Sequence, residues 1–180
     1  MKLKLDLHTH IWEAFNFQPP SLDIAEKVIT QIKSQGIDGI AITDHHNKDW
    51  AFQFRELVEK YFPGEVVIIP GWEIEIRPEE SPFDEYQVAE LFLPNGGMFR
   101  IYCHPGYYTP KIIIEENVHG IEIDNYIHNW HIRKSQVKAV ADTHSLMTFE
   151  VSDAHNLENI GLRYTEVDLE DLYRRAMPLD

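Results

Sequence analysis

The start of the chain places an aspartate and two histidines at alternating positions. Residues 3–10 read LKLDLHTH, so leucines alternate with Asp6, His8 and His10. Side chains alternate across a β-strand, and the pattern therefore predicts an apolar face and an opposite face that carries these three residues. Two imidazoles spaced in this way can bind one divalent metal ion from the same side. A surface strand with its polar residues in water is the alternative for this segment alone.

Similar groups recur after later segments that have the composition of strands. They are Thr43-Asp44-His45, Gly71-x-Glu73, His104-Pro105 and Ser152-Asp153-x-His155. In α/β folds, functional groups collect where the carboxyl ends of strands meet. Scattered surface histidines would not favour one end of successive strands, so we expect these groups to converge.

Helical and extended patterns alternate along the chain. Residues 22–35 have apolar residues at helical spacing, follow Ser21 as a predicted N-cap and precede Gly36. Further helices are predicted over 48–61, 130–144 and 168–177, with short strands between them. Short connections favour a parallel α/β arrangement. A length of 180 residues favours a single domain over residues 1–180.

Composition limits the partners and the compartment. The chain has 16 basic and 30 acidic residues, and this net charge of −14 disfavours long nucleic acid as a partner. Cys103 is the one cysteine, so no intrachain disulfide is possible and a reducing compartment is indicated. We find no apolar run long enough for a membrane span and no signal peptide, and we expect a cytoplasmic protein without a membrane partner. The oligomeric state stays open.

The set of motifs, in this order and spacing, resembles the PHP (polymerase and histidinol phosphatase) domain family over nearly the whole chain. The resemblance implies a distorted seven-stranded β/α (TIM-like) barrel with two to three divalent metal ions, such as Zn, Mn or Fe, at the strand ends. It also implies a small stand-alone phosphoesterase that hydrolyses a small phosphorylated substrate, either a phosphomonoester or a phosphodiester.

The resemblance also implies roles for particular residues. One ion is expected to be held by His8, His10, Glu73 and Asp153. Glu73 would bridge to a second ion that His104 also binds, and His45 and His155 would belong to a third site. Glu73, Asp153 and His155 are the expected catalytic residues.

Three positions depart from the family pattern. Gln87 stands where a further histidine is usual, and glutamine is a poor ligand for zinc-like ions. An Asp or His usually follows the first motif, and the nearest candidates here are Glu13 and Asn16. Tyr107 and Tyr108 follow His104-Pro105-Gly106 where many relatives carry a basic residue that could bind a phosphate.

Other polar and aromatic residues have a less specific interpretation. Asp6 and Asp44 could each orient an imidazole, although Asp44 could equally cap a helix. A structural role is favoured over a contact with the site for a pair of acidic residues and a pair of histidines: Glu122, Asp124, His128 and His131. The pocket wall could contain aromatic side chains: Trp12, Trp72, Tyr107 and Tyr108. Phosphate contacts are possible for Lys111, Arg133 and Arg163.

Two other functions remain open at this point. A metal-dependent hydrolase could cleave a different bond, since barrels with His/Asp metal sites also cleave amides and lactones. A degenerate, non-catalytic metal-binding domain is the other alternative. The chain has neither a Walker-type phosphate loop nor a Gly-x-Ser-x-Gly motif, which argues against nucleoside triphosphatases and serine hydrolases.

Overall fold

A computed structural model describes residues 2–79 and 81–179. The described strands are β1 (Lys2–Thr9), β2 (Gly39–Ile42), β3 (Val67–Ile76), β4 (Tyr86–Phe92), β5 (Gly97–Tyr102), β6 (Gly120–Asn125), β7 (Met147–Val151), β8 (Thr165–Asp168) and β9 (Met177–Pro178). The described helices are α1 (Ile11–Ala14), α2 (Leu22–Ser34), α3 (Lys48–Tyr61), α4 (Lys134–His144) and α5 (Leu169–Arg175), together with a 3₁₀ turn at Leu157–Asn159. The four predicted helices are present, with α4 and α5 shorter than expected.

The strands form a nearly closed, mixed barrel. Eight of them follow one path in the order β7-β6-β5-β4-β3-β2-β1-β8, and β9 pairs with β5. β1, β2 and β3 are parallel to their neighbours in this group, as are β5, β6 and β7, whereas β4 is antiparallel to both β3 and β5. The ends of β7 and β1 meet where the Asp153 N–H donates to the His8 carbonyl at 2.9 Å and the His10 N–H donates to the Ala154 carbonyl at 2.8 Å.

This strand arrangement differs from the seven-stranded barrel that the resemblance implied and from the parallel arrangement that the sequence pattern favoured. β8 runs antiparallel to the first half of β1. Thr165 of β8 also accepts a hydrogen bond from the Glu150 N–H of β7 at 2.8 Å. β8 therefore lies between β1 and β7 at one end of the barrel, and β1 and β7 contact each other directly at the other end. The barrel accordingly contains eight strands. The end opposite β8, where β1, β2, β5, β6 and β7 all terminate, is called the rim below.

The apolar residues form one cluster inside the barrel and two outside it. The interior cluster includes Leu5, Leu7, Leu91, Phe99 and Phe149, which alternate with outward-facing residues along their strands. α2 and α3 pack their apolar faces against one side of the barrel, and α4 packs against another. None of the helices in the described residues combines the length and apolar character that crossing a membrane requires.

Candidate metal centre

His8 lies inside the barrel because β1 is irregular near its end. The register of β1 against β2 shifts between Asp6 and Thr9. A shift of this kind moves the following side chains to the other face of the sheet. His8 consequently points into the same interior as Leu7, and the prediction that Asp6 and His8 share one face is wrong. Asp6 instead accepts hydrogen bonds from Ser152 and from the Gly161 N–H.

Four of the predicted ligands surround one point at the rim. His8 Nε2 lies 3.1 Å from His10 Nε2 and 3.4 Å from Asp153 Oδ1. His10 Nε2 lies 3.1 Å from the same Asp153 oxygen. Glu73 Oε2 is 3.4 Å from His8 Nε2 and 3.5 Å from His10 Nε2. All four side chains are buried.

These distances fit a four-coordinate metal ion. Ligands at about 2.1 Å from a tetrahedral ion are separated from one another by about 3.4 Å. Asp153 Oδ1 is buried and has no hydrogen-bond partner among the described residues, although two imidazole nitrogens lie close to it. A buried carboxylate oxygen is usually paired or bound to a metal. The donor set and this unsatisfied oxygen fit a divalent cation.

A second group lies on the other side of Glu73. Its Oε1 is 3.0 Å from His104 Nε2, while its Oε2 faces the first group, so the carboxylate can bridge two ions. His128 Nε2 lies 3.7 Å from Asp153 Oδ2, and the His128 and His104 rings are 4.8 Å apart. The sequence interpretation placed His128 outside the site, and the structure corrects it.

A third group forms the outer edge of the site. His10, Glu13, His45 and His155 each offer an atom within 4.8 Å of the others. His155 Nε2 is 3.6 Å from Glu13 Oε2, and His45 Nε2 is 3.2 Å from Glu73 Oε2. Of the two candidates that followed the first motif, Glu13 contributes to the site. Asn16 lies in the turn after α1, with a φ of 52°.

Hydrogen bonds select which ring nitrogens face the centre. The Asp153 carbonyl oxygen lies 2.9 Å from His155 Nδ1, so that nitrogen donates and Nε2 keeps its lone pair for the rim. Asp44 accepts from the N–H groups of Trp12 and Glu13, at 3.1 and 2.9 Å. Asp44 therefore caps the first turn of α1, which carries Glu13, and it does not orient an imidazole.

Two of the predicted ligands have a strained backbone. His104 has a φ of 26° and Asp153 a φ of 55°. Positive φ values are uncommon for residues with a side chain and cost about 1–3 kcal/mol. Each residue lies two positions after the end of a strand, β5 for His104 and β7 for Asp153, and the unusual turn directs their side chains toward Glu73 and His10. Strain of this kind is concentrated at functional sites.

The pKa values of the buried imidazoles and carboxylates at the site depend on one another. Burial opposes ionisation of Glu73, but the imidazoles of His8 and His104 hold its pKa well below the usual value. Burial likewise opposes protonation of His10, yet the nearby carboxylates of Asp153 and Glu13 raise its pKa to about 9. The pKa of His8 is raised as well, by Asp153 and other acidic neighbours acting against burial. Without a bound ion, protons on the imidazoles therefore balance the carboxylates.

The remaining predicted residues divide between the site and the framework. Tyr107 and Tyr108 are partly exposed beside His104, with ring distances of 5.3 and 6.3 Å, and they form one wall of the rim. Trp72 instead donates its indole N–H to Glu90 at 2.6 Å, which is a structural contact. Gln87 is buried on β4.

The fold and the rim together define a mixed α/β barrel whose histidine and carboxylate clusters could bind divalent metal ions. No protein-family model and no curated protein matches the chain.

Several solved structures nevertheless share its fold. A provisionally named metal-dependent phosphoesterase from Bifidobacterium adolescentis has a TM-score of 0.70 at 12% identity, with 98% of this chain and 96% of that chain covered. An amidohydrolase from Chromobacterium violaceum, determined with bound sulfate and no metal, has a TM-score of 0.62 at 12% identity, with 97% of both chains covered. PsfC from Pseudomonas syringae has a TM-score of 0.60 at 18% identity, with 89% and 79% covered.

Proposed function

We propose that this protein is a divalent-metal-dependent phosphoesterase of the PHP type, which hydrolyses a small phosphorylated substrate in the cytoplasm. The observation that carries the proposal is the convergence of His8, His10, Glu73 and Asp153 at distances suited to one ion, with Asp153 Oδ1 left unsatisfied. The similarity in fold to a provisionally named metal-dependent phosphoesterase supports the same assignment.

The ligands fit two or three ions. His8, His10, Glu73 and Asp153 would hold the first, and Glu73 would share the second with His104 and His128. Glu13, His45 and His155 would hold a third. When bound, divalent ions lower the pKa of coordinated water toward about 7 and stabilise the charge that develops on phosphate oxygens.

The charge of the loaded site suits an anionic substrate. Three carboxylates, those of Glu13, Glu73 and Asp153, face six imidazoles that are neutral when they bind metal. Two dications exceed these three negative charges, and they balance four when the Glu122 carboxylate beside His8 is counted. A third dication would make the rim positive within an acidic protein, and salt screens the distant surface charges over about 10 Å.

The protein side chains position the substrate and its protons around this centre. Tyr107 and Tyr108 border the rim next to His104 and can contact the group that leaves the phosphate. His155 Nε2 faces the opening, and its side chain is 36% exposed. It can bind an ion or deliver a proton to the leaving oxygen, while its Nδ1–H remains bonded to the Asp153 carbonyl.

A metal-dependent hydrolase of a non-phosphate bond is the second candidate, and the similarity in fold to an amidohydrolase favours it. The two candidates are separated by substrate. Purified protein should be analysed for metal content and assayed with Mn²⁺ or Zn²⁺ against phosphomonoesters, phosphodiesters and cyclic amides. We expect turnover of a phosphoester and loss of both metal and turnover in Asp153→Ala. Turnover of amides alone would replace the first candidate by the second, and a chain that binds no metal would exclude both.

A further inference from the structure

β6 lies between β5 and β7 at the rim, and its buried polar residues contact ligands on both sides. The sequence of this strand does not reveal a connection to the metal centre, because Glu122 and Asn125 match no metal-binding motif and lie outside the four-ligand group. Both side chains are nevertheless fully buried.

Glu122 connects two ligands. Its Oε1 lies 2.6 Å from His8 Nδ1, and its Oε2 accepts from the His104 backbone N–H at 2.7 Å. Because Glu122 Oε1 accepts from His8 Nδ1–H, the His8 Nε2 atom keeps its lone pair and faces His10 and Asp153. A carboxylate that binds the distal nitrogen of a ligand histidine fixes both the tautomer and the ring orientation.

Asn125 extends this network to the other ligands. Its Nδ2 donates to Glu122 Oε2 at 2.9 Å and to Asp153 Oδ2 at 3.1 Å. Its Oδ1 accepts from the backbone N–H groups of Ile127 and His128, at 3.0 and 2.9 Å. One amide therefore holds both the Asp153 carboxylate and the loop that presents His128.

We infer that Glu122 and Asn125 are positioning residues of the metal centre: Glu122 sets the His8 tautomer, and Asn125 fixes Asp153 and the His128 loop. The inference rests on the proposed metal centre but not on phosphoester hydrolysis. Stability alone does not account for the arrangement. A carboxylate removed from water costs free energy, and an apolar residue could fill the same space without that cost. The network is best explained by a requirement for one ring orientation at the ion.

Glu122→Gln tests the role of the carboxylate. The glutamine oxygen can still accept from His104 N–H and Asn125, and this arrangement turns its NH₂ group toward His8 Nδ1. His8 must then accept at Nδ1 and carry its proton on Nε2, the atom that faces the ion. We expect metal affinity to fall by about 10- to 100-fold, which is the usual effect of changing such a partner. The ¹⁵N spectrum of the metal-free protein, recorded at a pH high enough to make His8 neutral, should show the His8 proton on Nε2 in the variant and on Nδ1 in the wild type.

Glu90→Gln is the matched control. Glu90 is also a buried glutamate, on β4, and it forms an ion pair with Arg100 at 2.6 Å, outside the metal-binding groups. The Glu90→Gln substitution should lower the unfolding midpoint without changing metal affinity. Wild-type metal affinity or an unchanged His8 tautomer in Glu122→Gln would overturn the inference. If that variant does not fold, the same measurements on Glu122→Asp test the inference, because aspartate keeps the charge but its side chain is one methylene too short to reach His8 Nδ1.

Asn125→Ala tests the second half of the network. The substitution removes the donor to Asp153 and the acceptor for the His128 loop together. We expect about a tenfold loss of metal affinity, measured by competition with a chromophoric chelator and separate from any turnover. Wild-type affinity in this variant would exclude Asn125 from the positioning role and leave Glu122 alone.

Discussion

Replacement of Glu73 by glutamine should remove metal ions from two positions at once. The Glu73 carboxylate is buried, with Oε1 at 3.0 Å from His104 Nε2 and Oε2 at 3.2 Å from His45 Nε2. Glutamine has nearly the same shape but only one oxygen, and its NH₂ group cannot bind a cation. Glu73→Gln therefore leaves the fold intact while it withdraws the bridge between the first and second groups of ligands.

The size of the effect follows from the charge that is lost. Two unit charges about 4 Å apart interact by about 4 kcal/mol at an effective dielectric constant of about 20. A bound ion carries two charges and would lie closer than this, so about 4 kcal/mol is a lower bound. It corresponds to about a thousandfold weaker binding of at least one ion.

Glu75→Gln is the control for this prediction. Glu75 is exposed and lies two residues further along β3, so the same change in charge occurs outside the cluster. Both variants and the wild type should be stripped with chelator and titrated with Mn²⁺ or Zn²⁺ against a chromophoric competitor. Glu73→Gln should lose tight binding and Glu75→Gln should retain it. A Glu73→Gln variant that binds the wild-type number of ions with wild-type affinity would refute the assignment of Glu73 as a bridging ligand.

Three further predictions concern stability and protons. Chelation should lower the unfolding temperature of the metal-loaded protein. The loss is equivalent to about 2.7 kcal/mol for each site at which the free metal concentration had been a hundredfold above the dissociation constant. An unchanged midpoint would show that no ion stabilises the fold. Metal binding at pH 7.5 should release protons, since binding needs neutral imidazoles and the pKa of His10 is about 9 in the metal-free protein; calorimetry in two buffers of different ionisation enthalpy measures this release, and identical heats would contradict it. Burial, with Arg100 and Arg175 nearby, lowers the pKa of His119, so His119 gains its proton in the unfolded chain first and the free energy of unfolding should fall as the pH drops below about 6.5. Urea titrations at pH 7.0 and 5.5 should show a smaller loss of stability in His119→Asn, which keeps an acceptor for the Arg100 N–H. An equal loss of stability in the variant and the wild type would rule out this contribution.

The convergence of the candidate ligands was predictable because their positions follow a simple rule. His45, His104 and Asp153 lie two or three residues after the ends of strands, and strands that run in parallel terminate at one rim. No local pattern reveals the register shift in β1, so Asp6 and His8 were placed on the same face when the structure separates them.

The loop that presents His128 was missed for a different reason. Its conformation depends on Asn125, and the importance of that asparagine is visible only when Asp153 is beside it in space. The sequence analysis predicted short strands between the helices but not the place of β8 in the barrel. The antiparallel pairing of β8 with β1 depends on contacts between segments that are far apart in sequence.

The place where β1 meets β7 has a consequence for synthesis and folding. The Asp153 N–H to His8 carbonyl bond closes the barrel between two candidate ligands that are 145 residues apart in sequence. A nascent chain therefore cannot assemble the first ion site until the residues through Asp153 have left the ribosome. Once the site has formed, an ion held by His8, His10 and Asp153 would link the end of β1 to the end of β7. Loss of the ion would therefore favour opening of the barrel, and opening of the barrel would favour loss of the ion.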